Sequence, residues 1–281
     1  MIVKGPHPTI EPGIIFLQIS SELNPKPLVM CSIESAARLN PNKPVYFFMK
    51  AFTGNVSAFR EPEYKAIPLL SSFKNVIILP LNFKELFNNT PLAGWYEKVD
   101  PSKEVYWIYV LSDACRMTSL WKYGGIYLDT DVISIKPLEF GNFIVAESEI
   151  YSSSAVLGFN RSHPFLENCL TDFVEKYNGA DWGQQGPKLI TRNLKKWCGT
   201  DNLNQFLNKE CKGIDLPDRP CDREKHSLLG IAHMPPTRGM FLCGPYLFAD
   251  MMRPNGYYAG AFMMILLTRM MHWNGSQQGI S

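Results

Sequence analysis

Long apolar runs and strong charge are both missing from this sequence, and each absence excludes a class of protein. The longest apolar candidate, residues 259–267, covers nine positions, about half of the 18–20 that a membrane-spanning helix needs. Charged residues make up 19% of the chain and the net charge is +2, which is too mild for electrostatic binding of nucleic acid. No run of five or six like charges, internal repeat or low-complexity segment occurs, so the sequence predicts no charged tail.

The residues that are present indicate a folded protein. Hydrophobic residues make up 46% and aromatic residues 12% of the chain, which favours a packed core over disorder. Seven cysteines and four Asn-x-Ser/Thr sequons occur, the sequons at Asn55, Asn88, Asn160 and Asn274. These counts suit a protein of the secretory pathway, but buried free thiols in a cytosolic protein explain an odd number of cysteines equally well.

Short apolar strands alternate with helical stretches along the first three quarters of the chain. The patterns predict strands at residues 14–19, 45–49, 75–79, 126–128, 132–135, 143–146 and 155–159, and helices at 29–39, 82–87, 103–123, 165–177 and 189–197. Such alternation predicts an α/β fold with a mainly parallel sheet. Because prolines and methionine pairs interrupt every pattern beyond about residue 212, we predict a main domain at 1–212 and a divergent segment at 213–281.

The helix predicted at 103–123 is apolar nearly all round, so we expect it to be buried. Asp113 and Arg116 stand at positions i and i+3 of this helix, and buried charges are rare unless they are paired or bound to something. One interpretation is a structural ion pair. The other is an arginine that meets a phosphate and an aspartate that orders a sugar.

Two carboxylates, Asp129 and Asp131, follow the predicted strand at 126–128. Two unpaired carboxylates so close together repel each other, and a divalent cation such as Mg²⁺ or Mn²⁺ removes that cost. The alternative is a solvated loop in which the aspartates cap turns. Gly124 and Gly125 end the preceding helix, and glycines there also let the backbone approach a ligand closely.

A second polar cluster, residues 181–187, has the sequence DWGQQGP and leads into a helix. Amide side chains can hydrogen-bond sugar hydroxyls, and Trp182 offers a flat apolar face. An ordinary loop explains the same residues, with Pro187 at the first position of the helix.

These motifs together resemble those of the vertebrate α1,4-glycosyltransferases. The matching segments include CSIESAA at 31–37, LSDACR at 111–116, WKYGGIYLDTD at 121–131, WGQQGP at 182–187 and KWC at 196–198. The likeness runs from about residue 13 to residue 213, so the main domain corresponds to the catalytic domain of that family. It implies a GT-A fold, a Rossmann-like and mainly parallel sheet with helices on both faces.

The resemblance also implies an activity, the retaining transfer of a sugar from a UDP-sugar with the help of Mn²⁺ or Mg²⁺. Asp129 and Asp131 correspond to the DXD motif, which serves catalysis by holding the metal and the diphosphate. The remaining positions it assigns to the site are Asp113, Arg116, Gly124 and Gly125 for the sugar nucleotide, Gln18 and Ser20 beside the uridine, Gln185 as a catalytic residue near the reacting sugar, and His272 as a further metal ligand.

The family resemblance predicts the substrates and the location of the protein. It leaves two donors, UDP-N-acetylglucosamine and UDP-galactose. The segments at 151–153, 158–159 and 163–166 favour the first, and those at 85–87, 91–93 and 195–198 favour the second. We expect N-acetylglucosamine, transferred in α1,4 linkage to a galactose-ended glycan of a glycoprotein or glycolipid. Such enzymes lie in the Golgi lumen on a membrane anchor, which we expect to lie outside this chain.

Two other functions fit parts of the pattern. A phosphatase of the haloacid dehalogenase type also has an Asp-x-Asp after an apolar strand, with Asp129 as the nucleophile. It requires a later acidic pair after a strand, and the sequence offers no convincing one. A glycosyltransferase-like protein that has lost its activity is the third possibility, because residues 213–281 diverge from the family.

Overall fold

A mixed sheet of eight strands organises the computed structural model, which describes residues 10–54, 66–134, 136–146, 151–217 and 231–233. The strand order is β3-β2-β1-β4-β7-β6-β9-β8. The strands are β1 (Gly13–Gln18), β2 (Val45–Met49), β3 (Val76–Pro80), β4 (Gly125–Leu128), β5 (Val132–Ser134), β6 (Phe143–Ala146), β7 (Ser152–Phe159), β8 (Glu210–Cys211), β9 (Ile214–Asp215) and β10 (Ile231–His233).

Half of the sheet is parallel, as the sequence predicts. Strand β1 lies between β2 and β4 and runs parallel to both, and β2 is parallel to β3. The other half is largely antiparallel, because β7 runs against both β4 and β6. Strand β9 is parallel to β6 and forms a hairpin with β8. Within this sheet, four of the seven pairings among the described strands are parallel.

Helices cover both faces of the sheet. They are α1 (Pro27–Leu39), α2 (Ala66–Ser71), α3 (Phe83–Phe87), α4 (Leu92–Lys98), α5 (Trp107–Tyr123), α6 (Pro164–Glu175) and α7 (Pro187–Cys198). Alternate residues of β1 divide between two apolar layers: Ile14 and Phe16 pack with α1 and α2, whereas Ile15 and Leu17 pack with helices α3–α7. Both layers are mainly apolar because the central parallel strands are buried on both sides.

The first turn of the long helix differs from the prediction. Helix α5 begins at Trp107, because Pro101–Lys103 form a separate 3-10 helix. Its middle and last turns are buried as expected, but Val105 before it and Ile108 and Tyr109 within it are exposed. The prediction that this helix is apolar and buried nearly all round is therefore wrong at its amino end.

The predicted domain boundary at residue 212 falls within the β8–β9 hairpin. A disulfide between Cys198 and Cys211 joins this hairpin to the end of α7. Strand β10 pairs with β5 in a separate two-stranded sheet. The short helices α2 and α4 were not predicted, since neither has the length that reveals a 3.6-residue period. No helix among the described residues is long and apolar enough to cross a bilayer.

Candidate active site

The two aspartates of the DXD motif lie in a tight turn at the carboxyl end of β4. The backbone N–H of Asp129 donates to Ala155 O at 2.9 Å, and the N–H of Val132 donates to Asp129 O at 3.0 Å. The first bond ties the turn to β7, and the second closes it before β5. Because β1 and β4 are parallel, their carboxyl ends meet at the same edge of the sheet. Ligands bind at this edge in open α/β sheets.

The guanidinium of Arg116 lies behind this turn and is only 7% exposed. It is 3.3 Å from Asp113 Oδ1 and 3.1 Å from Asp129 Oδ1. Nη1 also donates to Ser154 O at 2.7 Å, and Nη2 donates to Ser112 Oγ at 2.9 Å. Protein acceptors therefore surround the guanidinium, and the ion-pair interpretation of Asp113 and Arg116 describes this geometry. The structure does not present Arg116 to a sugar nucleotide, as the family resemblance implied.

Two carboxylates and a phenol ring determine the pKa of Arg116 in this cluster. Burial alone lowers the pKa of Arg116, but the neighbouring Asp129, Tyr127 and Asp113 outweigh it and raise that pKa above its usual range. The guanidinium also lies 4.9 Å from the centre of the Tyr127 ring. Burial raises the pKa of Tyr127, so its hydroxyl stays protonated. This hydroxyl donates a hydrogen bond to Asp129 Oδ1. Arg116 and Tyr127 together fix the orientation of the first aspartate.

Helix α1 holds the same turn from the other face of the sheet. Ser32 is fully buried, and its Oγ donates to Thr130 O at 2.7 Å. One turn later, Ser35 Oγ accepts a hydrogen bond from the N–H of Ser134 at 3.0 Å. The sequence-based prediction missed both serines as site residues. Their signal was the segment CSIESAA, in which two polar residues interrupt the buried face of a helix.

The residues of the second polar cluster separate in the structure. Gly186 packs against Asp113, because a Cβ at this position would lie 2.5 Å from Asp113 Oδ2. Gln185 next to it is 1% exposed, and its Nε2 donates to Phe173 O at 2.8 Å. Its Oε1 is also buried and has no hydrogen-bond partner among the described residues. The expectation that Gln185 lies near the reacting sugar stays a prediction.

The two glycines before β4 also lie away from the DXD turn. A Cβ at Gly125 would overlap the carbonyl oxygen of Gly13, and one at Gly124 would lie 2.7 Å from the backbone nitrogen of Arg161. Because these glycines have no side chain, neighbouring protein backbone can approach them closely. They are at the amino end of β4, at the opposite edge of the sheet from Asp129. The structure thus does not place them where a ligand at the DXD turn would be.

Gln18 and Ser20, by contrast, lie at the carboxyl end of β1, beside the end of β4. Gln18 Nε2 donates to Glu22 O at 2.6 Å. Its Oε1 is buried and has no hydrogen-bond partner among the described residues. An acceptor oxygen at this edge suits an N–H donor of a bound ligand, such as the uracil ring that the family resemblance implies.

The chemistry of the DXD turn fits a divalent cation. Asp129 and Asp131 supply hard carboxylate oxygens, and Mg²⁺ and Mn²⁺ are usually bound by one or two carboxylates together with substrate phosphates. Within the described ranges no three His, Cys, Asp or Glu side chains gather into a closed metal site. His272, the third predicted ligand, lies outside the described residues. The turn is thus suited to a metal that the substrate helps to hold.

Two family models match the chain. That of the glycosyltransferase sugar-binding region containing the DXD motif matches residues 26–151, and that of the alpha 1,4-glycosyltransferase conserved region matches residues 158–220. The chain is 45% identical to human alpha-1,4-N-acetylglucosaminyltransferase over 204 residues, which are 73% of this chain and 60% of the relative. It is also 45% identical to human lactosylceramide 4-alpha-galactosyltransferase over 211 residues, which are 75% of this chain and 58% of the relative.

The fold has a counterpart among solved structures. The structure described as PaToxG glycosyltransferase superposes with a TM-score of 0.51 at 18% identity, covering 66% of this chain and 68% of that one. This similarity shows the GT-A fold that the sequence predicts. The chain spans less than two thirds of the length of the human relatives it matches. On the family models and the relatives together, residues 26–220 belong to the α1,4-glycosyltransferase family.

Proposed function

We propose that this protein is a UDP-sugar-dependent α1,4-glycosyltransferase that acts with net retention. The observation that carries the proposal is the DXD turn of Asp129 and Asp131, held by Arg116, Tyr127 and Ser32 at the ligand-binding edge of the sheet. The family match supports it. It also makes the phosphatase alternative unnecessary, because the Asp-x-Asp here belongs to the sugar-binding region of glycosyltransferases.

Retention follows from the chemistry of donor and product. The UDP-sugars of N-acetylglucosamine and galactose are α-linked, and the names of the relatives specify an α1,4 product. The anomeric configuration is therefore the same before and after transfer. Gln185 stays the proposed catalytic residue near the reacting sugar, through its Oε1, which has no hydrogen-bond partner among the described residues.

Several residues at the turn would contribute to binding UDP, the leaving group. A bound Mn²⁺ or Mg²⁺ would supply positive charge to the diphosphate as the glycosidic bond breaks. Asp129 and Asp131 would hold it, Arg116 and Tyr127 keep Asp129 in one orientation, and Ser32 fixes the backbone between the two aspartates. Such preorganisation lowers the reorganisation that the transition state requires.

For the donor we propose N-acetylglucosamine, and for the acceptor a galactose-ended glycan of a glycoprotein or glycolipid. Equal identity to an N-acetylglucosaminyl and a galactosyl enzyme supports the reaction class and leaves galactose as the alternative donor. We also propose a location in the lumen of the Golgi, at its membrane. The disulfide between Cys198 and Cys211 supports an oxidising compartment.

Calorimetric titration of UDP into the protein, first with Mn²⁺ and then with EDTA, tests the donor site. We expect binding that requires the metal and that Asp131→Asn abolishes without lowering the melting temperature. Asp201→Asn, an exposed aspartate outside the turn, is the matched control and should bind as the wild type does. Binding of UDP by Asp131→Asn in the presence of Mn²⁺, as tight as that of the wild type, would remove Asp131 from the proposed site.

Transfer assays then decide between the donors and test activity itself. UDP-N-acetylglucosamine and UDP-galactose compete for one galactose-ended acceptor, and we expect the N-acetylglucosaminyl product to dominate. A clear excess of the galactosyl product reverses the donor assignment. If metal-dependent UDP binding persists without transfer of either sugar, the protein is a glycosyltransferase-like protein that has lost its activity.

A further inference from the structure

Exposed apolar side chains gather beside the candidate active site. Seven large apolar side chains are exposed in the part of the chain that the structure describes. Val105 lies just before α5, Ile108 and Tyr109 lie in its first turn, and Trp182 lies in the loop before α7; we call these four the apolar rim. The sequence predicts that α5 is buried nearly all round. Its first turn is instead exposed, so packing within the fold does not explain the apolar residues there.

The loop at residues 179–186 approaches the segment at residues 104–113 at both of its ends. At one end, a Cβ on Gly179 would overlap the carboxylate of Glu104. At the other end, a Cβ on Gly186 would lie 2.5 Å from Asp113 Oδ2. Trp182 lies between these two contacts in the loop and is 58% exposed. The other three members of the rim lie between Glu104 and Asp113, in the segment that the loop approaches.

The rim lies next to the ion pairs that hold the DXD turn. Tyr109 precedes Asp113 by four residues on α5, so their side chains are neighbours on one face of the helix. Asp113 pairs with Arg116, and Arg116 pairs with Asp129. The rim therefore borders the cluster that holds the first aspartate, but its own members take no part in that cluster. This position is beside the donor site and outside it.

The composition of the rim indicates what would cover it. A UDP-sugar carries two phosphates and suits the acidic turn and its cation, whereas tyrosine and tryptophan at a wet surface present flat apolar faces with polar edges. One face of a β-galactose ring carries only C–H groups, because its axial 4-hydroxyl points to the opposite face. An aromatic ring packed on that C–H face leaves O4 free to react.

We propose that Tyr109 and Trp182 form the binding platform for the galactose-ended acceptor. This inference rests on the proposed function and deepens it by placing the acceptor on a surface separate from the donor turn. Ile108 and Val105 extend the platform, so that sugars beyond the terminal galactose also have an apolar surface to cover. The glycan, rather than a second protein chain, is the occupant that a position beside the donor site favours.

Binding of lactose, a galactose-ended disaccharide, tests the platform without requiring turnover. Its dissociation constant is measured by NMR titration of the full chain in the presence of UDP and Mn²⁺. We expect Trp182→Ala and Tyr109→Ala each to weaken lactose binding by about tenfold, the scale of one aromatic contact. Leu69→Ala, which removes an exposed apolar side chain on α2 that is 64% exposed, should leave lactose binding unchanged.

The affinity for UDP separates the platform from the donor site. We expect both aromatic variants to bind UDP with Mn²⁺ as tightly as the wild type. The proposal is overturned if the variants bind lactose as well as the wild type does, or if UDP affinity falls in parallel. Light scattering adds a further test: a wild-type dimer that Trp182→Ala converts to a monomer, with lactose binding unchanged, would assign the rim to self-association.

Failure of the proposed function remains distinguishable from failure of the platform. If the wild type transfers no sugar, the activity is absent whatever the variants do. Loss of lactose binding in Trp182→Ala, with UDP binding intact, would still support an acceptor-binding surface. Transfer by the wild type together with unchanged lactose binding in both aromatic variants would keep the activity and overturn the platform.

Discussion

Arg116 Nη1 lies 3.1 Å from Asp129 Oδ1, and this ion pair between a buried arginine and a half-buried aspartate joins the long helix α5 to the DXD turn. The arginine thus acts behind the aspartate, on the side that faces the core. An unpaired carboxylate at a buried edge is costly, and a fixed cation removes that cost before any metal binds. The turn is therefore shaped by the fold itself as well as by its ligand.

Replacing Arg116 with alanine should destabilise the fold strongly. The change leaves Asp113 and Asp129 without their common cation, and breaking a buried pair in this way costs about 3–5 kcal/mol. Urea unfolding measures the loss. Arg38→Ala is the matched control, because Arg38 pairs with Glu34 on the surface of α1, where an exposed pair contributes about 0.3–0.5 kcal/mol. Unchanged stability of Arg116→Ala with weakened UDP binding would instead place Arg116 on the nucleotide.

Ser32→Ala should impair the donor site more than it impairs the fold. The variant removes the hydroxyl that holds Thr130 O, and a buried acceptor left without its donor costs about 1–3 kcal/mol. Because the turn loses its backbone anchor, we expect metal-dependent UDP affinity to fall by about tenfold, equivalent to about 1.4 kcal/mol. Calorimetry with Mn²⁺ measures the affinity, and thermal unfolding confirms that the variant is folded.

Ser119→Ala provides the control for that experiment. Ser119 is also buried in a helix, but its hydroxyl donates to Cys115 O within α5 and does not reach the turn. The two variants remove the same atom from comparable surroundings. Equal loss of UDP affinity in both would show that the effect of Ser32→Ala is general destabilisation and not the position of the DXD turn.

The sequence predicts most of the sheet because its strands are short apolar runs bounded by breaks. The run at 45–49 is confirmed as β2 without change. The DXD turn was also located, since its two carboxylates directly follow such a run. These features are local, and a pattern of neighbouring residues is enough to find them.

What the sequence could not predict depends on contacts between distant segments. The local sequence leaves Arg116 open between an ion pair and a phosphate contact, and only the tertiary structure shows that Ser154 and Asp129 surround it. The family resemblance places Gln185 near the sugar, and nothing local shows that Phe173 O accepts a hydrogen bond from its amide. The antiparallel half of the sheet and the anchoring of Thr130 by Ser32 likewise require the tertiary structure.

Asp172 should make stability depend on pH in the acid range. Burial raises its pKa, but hydrogen bonds from Lys176, Arg192 and Asn193 and the charge of Arg192 outweigh burial and lower the pKa below its usual value. A carboxyl with a lowered folded pKa stabilises the protein above its unfolded pKa, about 3.9. That stabilisation is lost as the pH falls through the folded pKa.

We therefore expect Asp172→Asn to cost stability at pH 7, by about 2–3 kcal/mol for charged hydrogen bonds, and to cost less below about pH 4. Urea unfolding of the wild type and the variant at a series of pH values measures the difference. Asp201→Asn, an exposed aspartate beyond the end of α7, serves as the control. A difference that stays constant from pH 7 to pH 3 would contradict the predicted ionisation of Asp172 in the folded state.

The disulfide between Cys198 and Cys211 should stabilise the fold without contributing to the donor site. Cross-linking residues 13 apart in sequence stabilises a protein by about 3 kcal/mol through the entropy of the unfolded chain. Helix α7 begins beside Asp113 and ends at Cys198, and a helix of 12 residues is about 18 Å long at 1.5 Å per residue. The bond is thus remote from the DXD turn.

Removing the bond by Cys198→Ser together with Cys211→Ser should lower the free energy of unfolding by about 2–4 kcal/mol. We expect the folded variant to bind UDP with Mn²⁺ as the wild type does. A reducing agent should lower the stability of the wild type toward that of the variant and leave the variant unaffected, which separates the bond from the two substitutions. A reductant that weakens UDP binding while the wild type stays folded would show that the hairpin acts on the donor site.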